Sequence, residues 1–236
     1  SHHTGLSLLD RGLYKDLLVI AEVQRQQQWM HDHNSLRIDD RIVSTSQPHV
    51  RPIKRDKVGS DTEFGAKVSI SLVDGISFVD RISWDNFNEG VDLIGQIKSY
   101  RSRFGHYPQS VHADKIYRNR NNRKYCKKHN IRLSGPKLGR PAKVTKANAS
   151  QLEAEKQQAR KDEIERNLVE GKFGQGKRRY SLSRIMTKLA CTSETAIMLS
   201  FVVMNLKRWL PTVLFFIFQR AGVLFARCAS CTPVQI

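Results

Sequence analysis

A β-hairpin between residues 64 and 84 is the feature that most constrains the fold of this chain. Apolar side chains alternate with serine along residues 68–72, and Asp74-Gly75 follows. This dipeptide is a strong signal for a two-residue hairpin turn, because both of its residues tolerate positive φ. Apolar residues resume at 76–82 on the other side of the turn. Two antiparallel strands are therefore predicted here.

The segment after the hairpin predicts a helix and then a third strand. Apolar residues of 88–104, among them Leu93 and Ile97, recur at helical spacing, and Gly105 suits the end of a helix. Residues 110–113 have the pattern of a short strand that ends in Asp114. The order strand, strand, helix, strand predicts an α/β fold, in which a helix crosses from one strand of a sheet to the next.

Further helices are predicted before and after this core. Residues 5–36 place Leu13, Leu17 and Ile20 on one apolar helix face. The proline-bearing residues 39–57 predict an extended connector. A basic helix is expected after Asp114, to about residue 129.

The C-terminal half of the chain predicts two more helices. A capping box, Ser150-x-x-Glu153, predicts the start of one, and glycines at 171, 174 and 176 are expected to break it. An apolar helix is expected from residue 182 to 209, followed by the apolar run LPTVLFFIF at 210–218. Because no uninterrupted run reaches the length of a membrane span, we expect this region to be a buried helix, with no membrane partner.

The charge of the chain points to a polyanionic partner. Its net charge is +18, and fifteen lysines and arginines lie between residues 93 and 152, where Asp114 is the single acidic residue. Clustered cations of this kind favour nucleic acid as the partner, and an anionic membrane surface is the weaker alternative. Four scattered cysteines do not indicate a disulfide framework, so a reducing cytoplasm is expected.

Two acidic residues are the candidates for chemistry. Asp114 follows a strand of an α/β sheet, where ligands usually bind, although it could simply cap the helix that starts at Lys115. Glu170 lies in the pattern Arg166-x3-Glu170-x6-Lys177, whose alternative explanation is a solvated salt bridge. Two carboxylates from separate elements, surrounded by cations, suit metal-dependent chemistry on phosphodiesters.

These segments resemble a known family. Residues 113–141, ADKIYRNRNNRKYCKKHNIRLSGPKLGRP, resemble the region around the second catalytic aspartate of DDE transposases from bacterial insertion sequences. The pattern of Arg166, Glu170 and Lys177 is similar to the tyrosine-arginine-glutamate-lysine signature around the third acid, except that Glu163 stands where the tyrosine is expected. The resemblance spans most of the chain, from about residue 6 to residue 209.

The resemblance implies an RNase H-like mixed sheet flanked by helices. Residues 1–62 would be a helical N-terminal segment and connector, residues 63–190 the catalytic core, and residues 191–236 an apolar helical region. The implied activity is cleavage and strand transfer of double-stranded DNA, both insertion-sequence terminal repeats and target DNA. The protein is then expected to act as a homodimer on DNA at the nucleoid, in the bacterial cytoplasm.

The resemblance also implies roles for individual residues. Asp114 and Glu170 would be catalytic and would be the second and third ligands of Mg²⁺ or Mn²⁺. The first aspartate of the family precedes a helical insertion and is expected upstream of Ser1, so the chain is expected to be truncated at its N-terminus. The implied DNA-binding residues are Lys115, Arg118, Arg120, Arg123, Lys124, Arg166, Lys172, Lys177, Arg178 and Arg179.

Two other functions remain open from the sequence. A truncated transposase that binds DNA without cutting it would act as a regulator, and the missing first aspartate favours that alternative. An RNA-binding or ribosome-associated protein is supported by the charge alone.

Overall fold

A computed structural model describes residues 9–54, 62–135, 139, 145 and 148–229. These residues form a mixed α/β structure of helices and short strands. The α-helices are α1 (Arg11–Asp32), α2 (Leu93–Phe104), α3 (Arg120–Lys128), α4 (Ala149–Arg179) and α5 (Ala190–Ala229). The strands are β1 (Pro52–Lys54), β2 (Thr62–Phe64), β3 (Lys67–Val73), β4 (Ile76–Ser83), β5 (Ser110–Val111) and β6 (Arg132–Leu133).

The hairpin predicted from the sequence is confirmed. Strands β3 and β4 pair antiparallel, and Val73 opposite Ile76 closes the two-residue turn. Asp74 and Gly75 have φ of +50° and +78°, which are the positive values that such a turn requires. The helix after the hairpin is also confirmed. Helix α2 ends at Gly105, whose left-handed conformation caps it.

The single mixed sheet expected from the sequence is not formed within the described residues. They contain three two-stranded sheets: antiparallel β1–β2, antiparallel β3–β4 and parallel β5–β6. Strand β5 ends at Val111, and its backbone bonds to β6, with Arg132 N donating to Gln109 O and Ser134 N to Val111 O. Because these bonds go to β6, α3 is the helix that crosses between parallel strands, and α2 is not.

Two hydrophobic cores hold the elements together. In the first, Ile70 of the hairpin packs with Ile197 and Phe201 of α5, and Phe173 of α4 packs against them. In the second, Leu93 and Ile97 of α2 pack with residues of α3 and the β5–β6 sheet, including Cys126 and Ile131. Helix α4 reaches both regions, since its residue Asp162 bonds to Arg132 of β6.

Two predictions about α4 are wrong. The expected capping box does not form: Asn148 precedes the first turn, and Ser150 lies inside the helix. The glycines at 171, 174 and 176 do not break the helix, which continues to Arg179. Phe173 packs into the first core, and a side chain at the buried Gly176 would collide with Leu182. Close packing of this segment therefore outweighs the weak helix propensity of glycine.

The predicted apolar face of α1 is not buried. Leu13, Leu17 and Ile20 are all exposed, whereas Gln26 and Met30 near the C-terminal end of the helix are buried. The amide of Gln26 donates to Asp40 O and its carbonyl accepts from Ile42 N, so this end of α1 is bound to the connector. The connector covers the C-terminal end of α1, and the N-terminal half of the helix extends beyond the connector.

The expectation of a buried C-terminal helix is also wrong for its second half. Ile197, Phe201 and Met204 are buried, but every residue from Leu206 to Phe218 is solvent-exposed. Arg208 Nε donates to Asp74 O at the hairpin turn, so α5 continues past the end of the hairpin. By length and composition, Ala190–Arg220 could cross a membrane, and it is the one such segment among the described residues. Its packed first half makes that weak evidence for a membrane span.

We predict that Gly75→Ala destabilises the protein by about 1–2 kcal/mol, because a side chain at positive φ is strained and would also displace Arg208. Gly95→Ala is the control. Gly95 lies in α2 with open space around it, so the substitution is expected to be neutral or to stabilise by up to about 1 kcal/mol. Urea unfolding of both variants measures the difference, and equal effects would contradict the turn geometry.

Candidate active site

Asp114 lies three residues beyond β5, immediately before a 3-10 turn formed by Lys115–Tyr117. Its backbone is extended, and its side chain does not cap the turn. Its carboxylate instead accepts a hydrogen bond of 2.8 Å from Arg166 Nη1 on α4. The capping role that was open from the sequence is therefore not the one that the side chain adopts.

Arg166 bonds to one of the two acids that the sequence singles out and lies one helical turn before the other. It lies four residues before Glu170, so the two side chains share a face of α4, about 6 Å apart along the helix axis. Glu170 is exposed. Arg166 also lies 3.7 Å from Glu163, the residue that replaces the expected tyrosine. One ion pair thus links the strand-end aspartate to the helix that carries Glu170.

Buried polar groups hold the turn that follows Asp114. Asn122 is almost fully buried, and its side-chain amide donates to the carbonyl oxygens of Gly90 and Tyr117. Burial raises the pKa of Tyr117 to about 12, so its phenol stays neutral at physiological pH. Asn119 caps α3 by accepting from Asn122 N. These contacts fix the 3-10 turn against α3 and thereby fix the backbone next to Asp114.

A second carboxylate on α4 was missed by the sequence analysis. Asp162 is buried, with its side chain 10% exposed, and it accepts hydrogen bonds of 2.6 and 2.8 Å from both terminal nitrogens of Arg132. Gln158 donates a third bond of 2.9 Å, and His112 Nδ1 lies 3.4 Å away. The hydrogen bonds from Arg132 lower the pKa of Asp162. The signal that the sequence offered for Asp162 was its position four residues before Arg166, on the same face of the helix.

The ten residues expected to bind DNA fall into two groups. The exposed group consists of Lys115, Arg120, Lys124, Lys177, Arg178 and Arg179. The half-buried group consists of Arg118, Arg123, Arg166 and Lys172. Members of the second group have internal contacts: Arg118 donates to Ser134 O, and burial lowers the pKa of Lys172.

Asp114 and Glu170 fit a hard divalent cation by their chemistry, because both offer carboxylate oxygens. The described part of the chain contains no group of three or more His, Cys, Asp or Glu residues that could hold a metal ion. Asp80 of β4 does not supply a third ligand. Its carboxylate accepts from Ser71 and lies 3.3 Å from both Gln96 Nε2 and Arg103 Nη2.

Comparison with known proteins identifies the domain. Residues 111–207 match the family model described as the transposase DDE domain. The matched range includes Asp114, Arg166, Glu170 and Lys177. No curated protein and no solved structure matches the chain. This match bears out the resemblance to DDE transposases and supports a transposase function.

We predict that Asp162→Asn lowers the free energy of unfolding by about 1 kcal/mol at pH 7, which is less than the about 1.5–3 kcal/mol usual for charged hydrogen bonds because Arg132 is partly exposed. The folded-state pKa of Asp162 lies below its unfolded value. Its contribution is therefore complete above the unfolded pKa of about 3.9 and is lost as pH falls further. Denaturant unfolding from pH 7 to pH 3 should show the two curves converge.

Glu165→Gln is the matched control for this measurement, since Glu165 is an exposed acid on the same helix. Its unfolding free energy is expected to follow that of the wild type at every pH. A difference between wild type and Asp162→Asn that persists unchanged at pH 3 would show that the carboxylate is not stabilised as described.

Proposed function

We propose that this chain is the catalytic region of a DDE transposase from a bacterial insertion sequence, with an RNase H-like arrangement of its acids. Its substrates would be the double-stranded DNA ends of the element and the target DNA. The observation that carries the proposal is the 2.8 Å ion pair between Asp114 and Arg166, which are 52 residues apart in sequence. It links the end of a strand to the helix that carries Glu170.

Asp114 and Glu170 are the residues that would hold Mg²⁺ or Mn²⁺. A divalent cation bound there would supply charge neutralisation at the phosphodiester and a more acidic attacking water or hydroxyl. Arg166 orients the Asp114 carboxylate and adds positive charge beside the scissile phosphate. Asp114 and Glu170 would then be two acids of a three-acid site.

The exposed cations provide a path for the DNA backbone. Arg120 and Lys124 are four residues apart and share one face of α3. Lys177, Arg178 and Arg179 occupy the last turn of α4, about two turns beyond Glu170. Phosphate contacts of this kind position a duplex without reading its sequence. Action as a homodimer at the bacterial nucleoid belongs to the same proposal.

We predict that Asp114→Asn and Glu170→Gln each lower metal-dependent DNA cleavage more than about 100-fold, because each removes a ligand charge at the reacting phosphate. The assay uses the chain together with any coding sequence that precedes it, labelled terminal-repeat DNA, and Mg²⁺ or Mn²⁺. DNA affinity should stay within about threefold, since phosphate contacts supply most of it.

Asp74→Asn is the control for this assay, because Asp74 lies in the hairpin turn and outside the proposed site. Wild-type cleavage and strand transfer by both site variants would refute the assignment of the acids. Tight binding of terminal-repeat DNA without cleavage by the wild type would instead support the non-catalytic regulator.

We predict that Arg120→Ala combined with Lys124→Ala weakens DNA binding and lowers the slope of log affinity against log salt by about 2, one for each lost phosphate contact. Arg11→Ala combined with Lys188→Ala removes the same charge from exposed positions outside α3. Fluorescence anisotropy at several salt concentrations distinguishes the two pairs. Equal slopes for the two double variants would exclude α3 from the DNA path.

A further inference from the structure

Helix α4 contacts the β5–β6 region at two levels. At the first level Asp162 lies beside Arg132 of β6 and beside His112, which directly follows β5. At the second level, one helical turn further along, Arg166 bonds to Asp114. The first level joins α4 to β6 and places it beside the residue after β5, and the second level joins α4 to the same chain two residues further on, so the two levels are geometrically linked.

The distance between the two levels is about the same along α4 as along the chain that follows β5. Asp162 and Arg166 are four residues apart, which is about 6 Å along a helix. His112 and Asp114 are two residues apart, which is about 6.6 Å along extended chain. A shift of α4 by one residue would rotate its contact face by about 100°. A helix held at the first level is therefore aligned at the second.

The first level is the stronger of the two. The Asp162 carboxylate is buried and accepts bonds from Arg132 in a bidentate pair, a geometry that fixes direction as well as distance. The Asp114 carboxylate is 57% exposed, and an ion pair this exposed contributes little on its own. The alignment of Arg166 with Asp114 must therefore depend on Asp162 more than on the pair itself.

We propose that Asp162 is a positioning residue. Its bidentate pair with Arg132 sets the register of α4 against β5–β6, and this register brings Arg166 and Glu170 to Asp114. Asp162 itself touches no reacting atom. The effect of this register on catalysis rests on the proposed function. The register itself is independent of the proposed function.

The experiment compares Asp162→Ala, Asp162→Asn and the charge-conserving Asp162→Glu, with the exposed Glu165→Gln as control. Hydrogen exchange measured by mass spectrometry reports the register without any substrate. We expect exchange in residues 110–114 and 162–170 to rise at least about tenfold in the Ala and Asn variants. It should rise less in Asp162→Glu and should not rise in the control. The hairpin at residues 67–83 should stay protected, which shows that the variants are folded.

Cleavage kinetics provide the second measurement. We expect kcat of Asp162→Ala and Asp162→Asn to fall at least about tenfold while KM for DNA changes less than about twofold, because misalignment acts on the reaction and not on phosphate binding. Asp162→Glu should recover most of kcat. A variant that only loosened the fold would change the protection of the hairpin and the DNA affinity together.

The two measurements separate the proposals. Unchanged exchange in residues 110–114 and 162–170 would overturn the register role, whatever the kinetics. Increased exchange with unchanged kcat, in a protein that Asp114→Asn inactivates, would overturn the positioning role. If Asp114→Asn cleaves like the wild type, the proposed function fails, and the exchange result alone decides whether Asp162 sets the register.

Discussion

The continuity of α4 is the constraint on which the rest of the structure depends. The C-terminal part of this helix packs Phe173 into the core beneath the hairpin, and its middle binds Arg132 through Asp162. The hairpin also contacts α2 directly, through Gln96 Nε2 donating to Ser69 Oγ and through Phe104 packing against Phe78, and α4 adds a second connection between the two regions. Because the helix is unbroken, the buried hairpin core orients the segment that meets β5–β6. The position of Glu170 relative to Asp114 is thus a consequence of packing at both ends of one helix.

The parts of the fold that could be predicted are those with local causes. The Asp74-Gly75 turn and the Gly105 cap depend on backbone conformations that few residues adopt, so the residues identify them. Strand pairing has no such local cause: β5 pairs with β6 because α3 returns the chain to it. The three glycines of α4 wrongly predict a break because the reason for them is not local either. A side chain at Gly176 would collide with Leu182, and only the folded chain brings Leu182 to that position.

The candidate site divides in the same way. Asp114 and Glu170 could be proposed as site residues from motif spacing and from the resemblance to DDE transposases. Asp162 could not, since it stands in a charged helical stretch where an acid normally faces water. Its burial is caused by Arg132, 30 residues earlier in the chain. Supporting residues of a site are set by tertiary contacts, and a single sequence does not record those contacts.

The positive charge around Asp114 therefore comes from two kinds of cation that composition cannot separate. Arg118, Arg132 and Arg166 bind groups within the protein, namely Ser134 O, Asp162 and Asp114. Arg120, Lys124 and the last turn of α4 are exposed and free to meet phosphates. A guanidinium that already binds a carboxylate orients that carboxylate, because its planar donors fix the geometry of the pair. An exposed cation contributes affinity that salt weakens. In the proposed function, cations of the first kind build the site, and cations of the second kind bring the DNA to it.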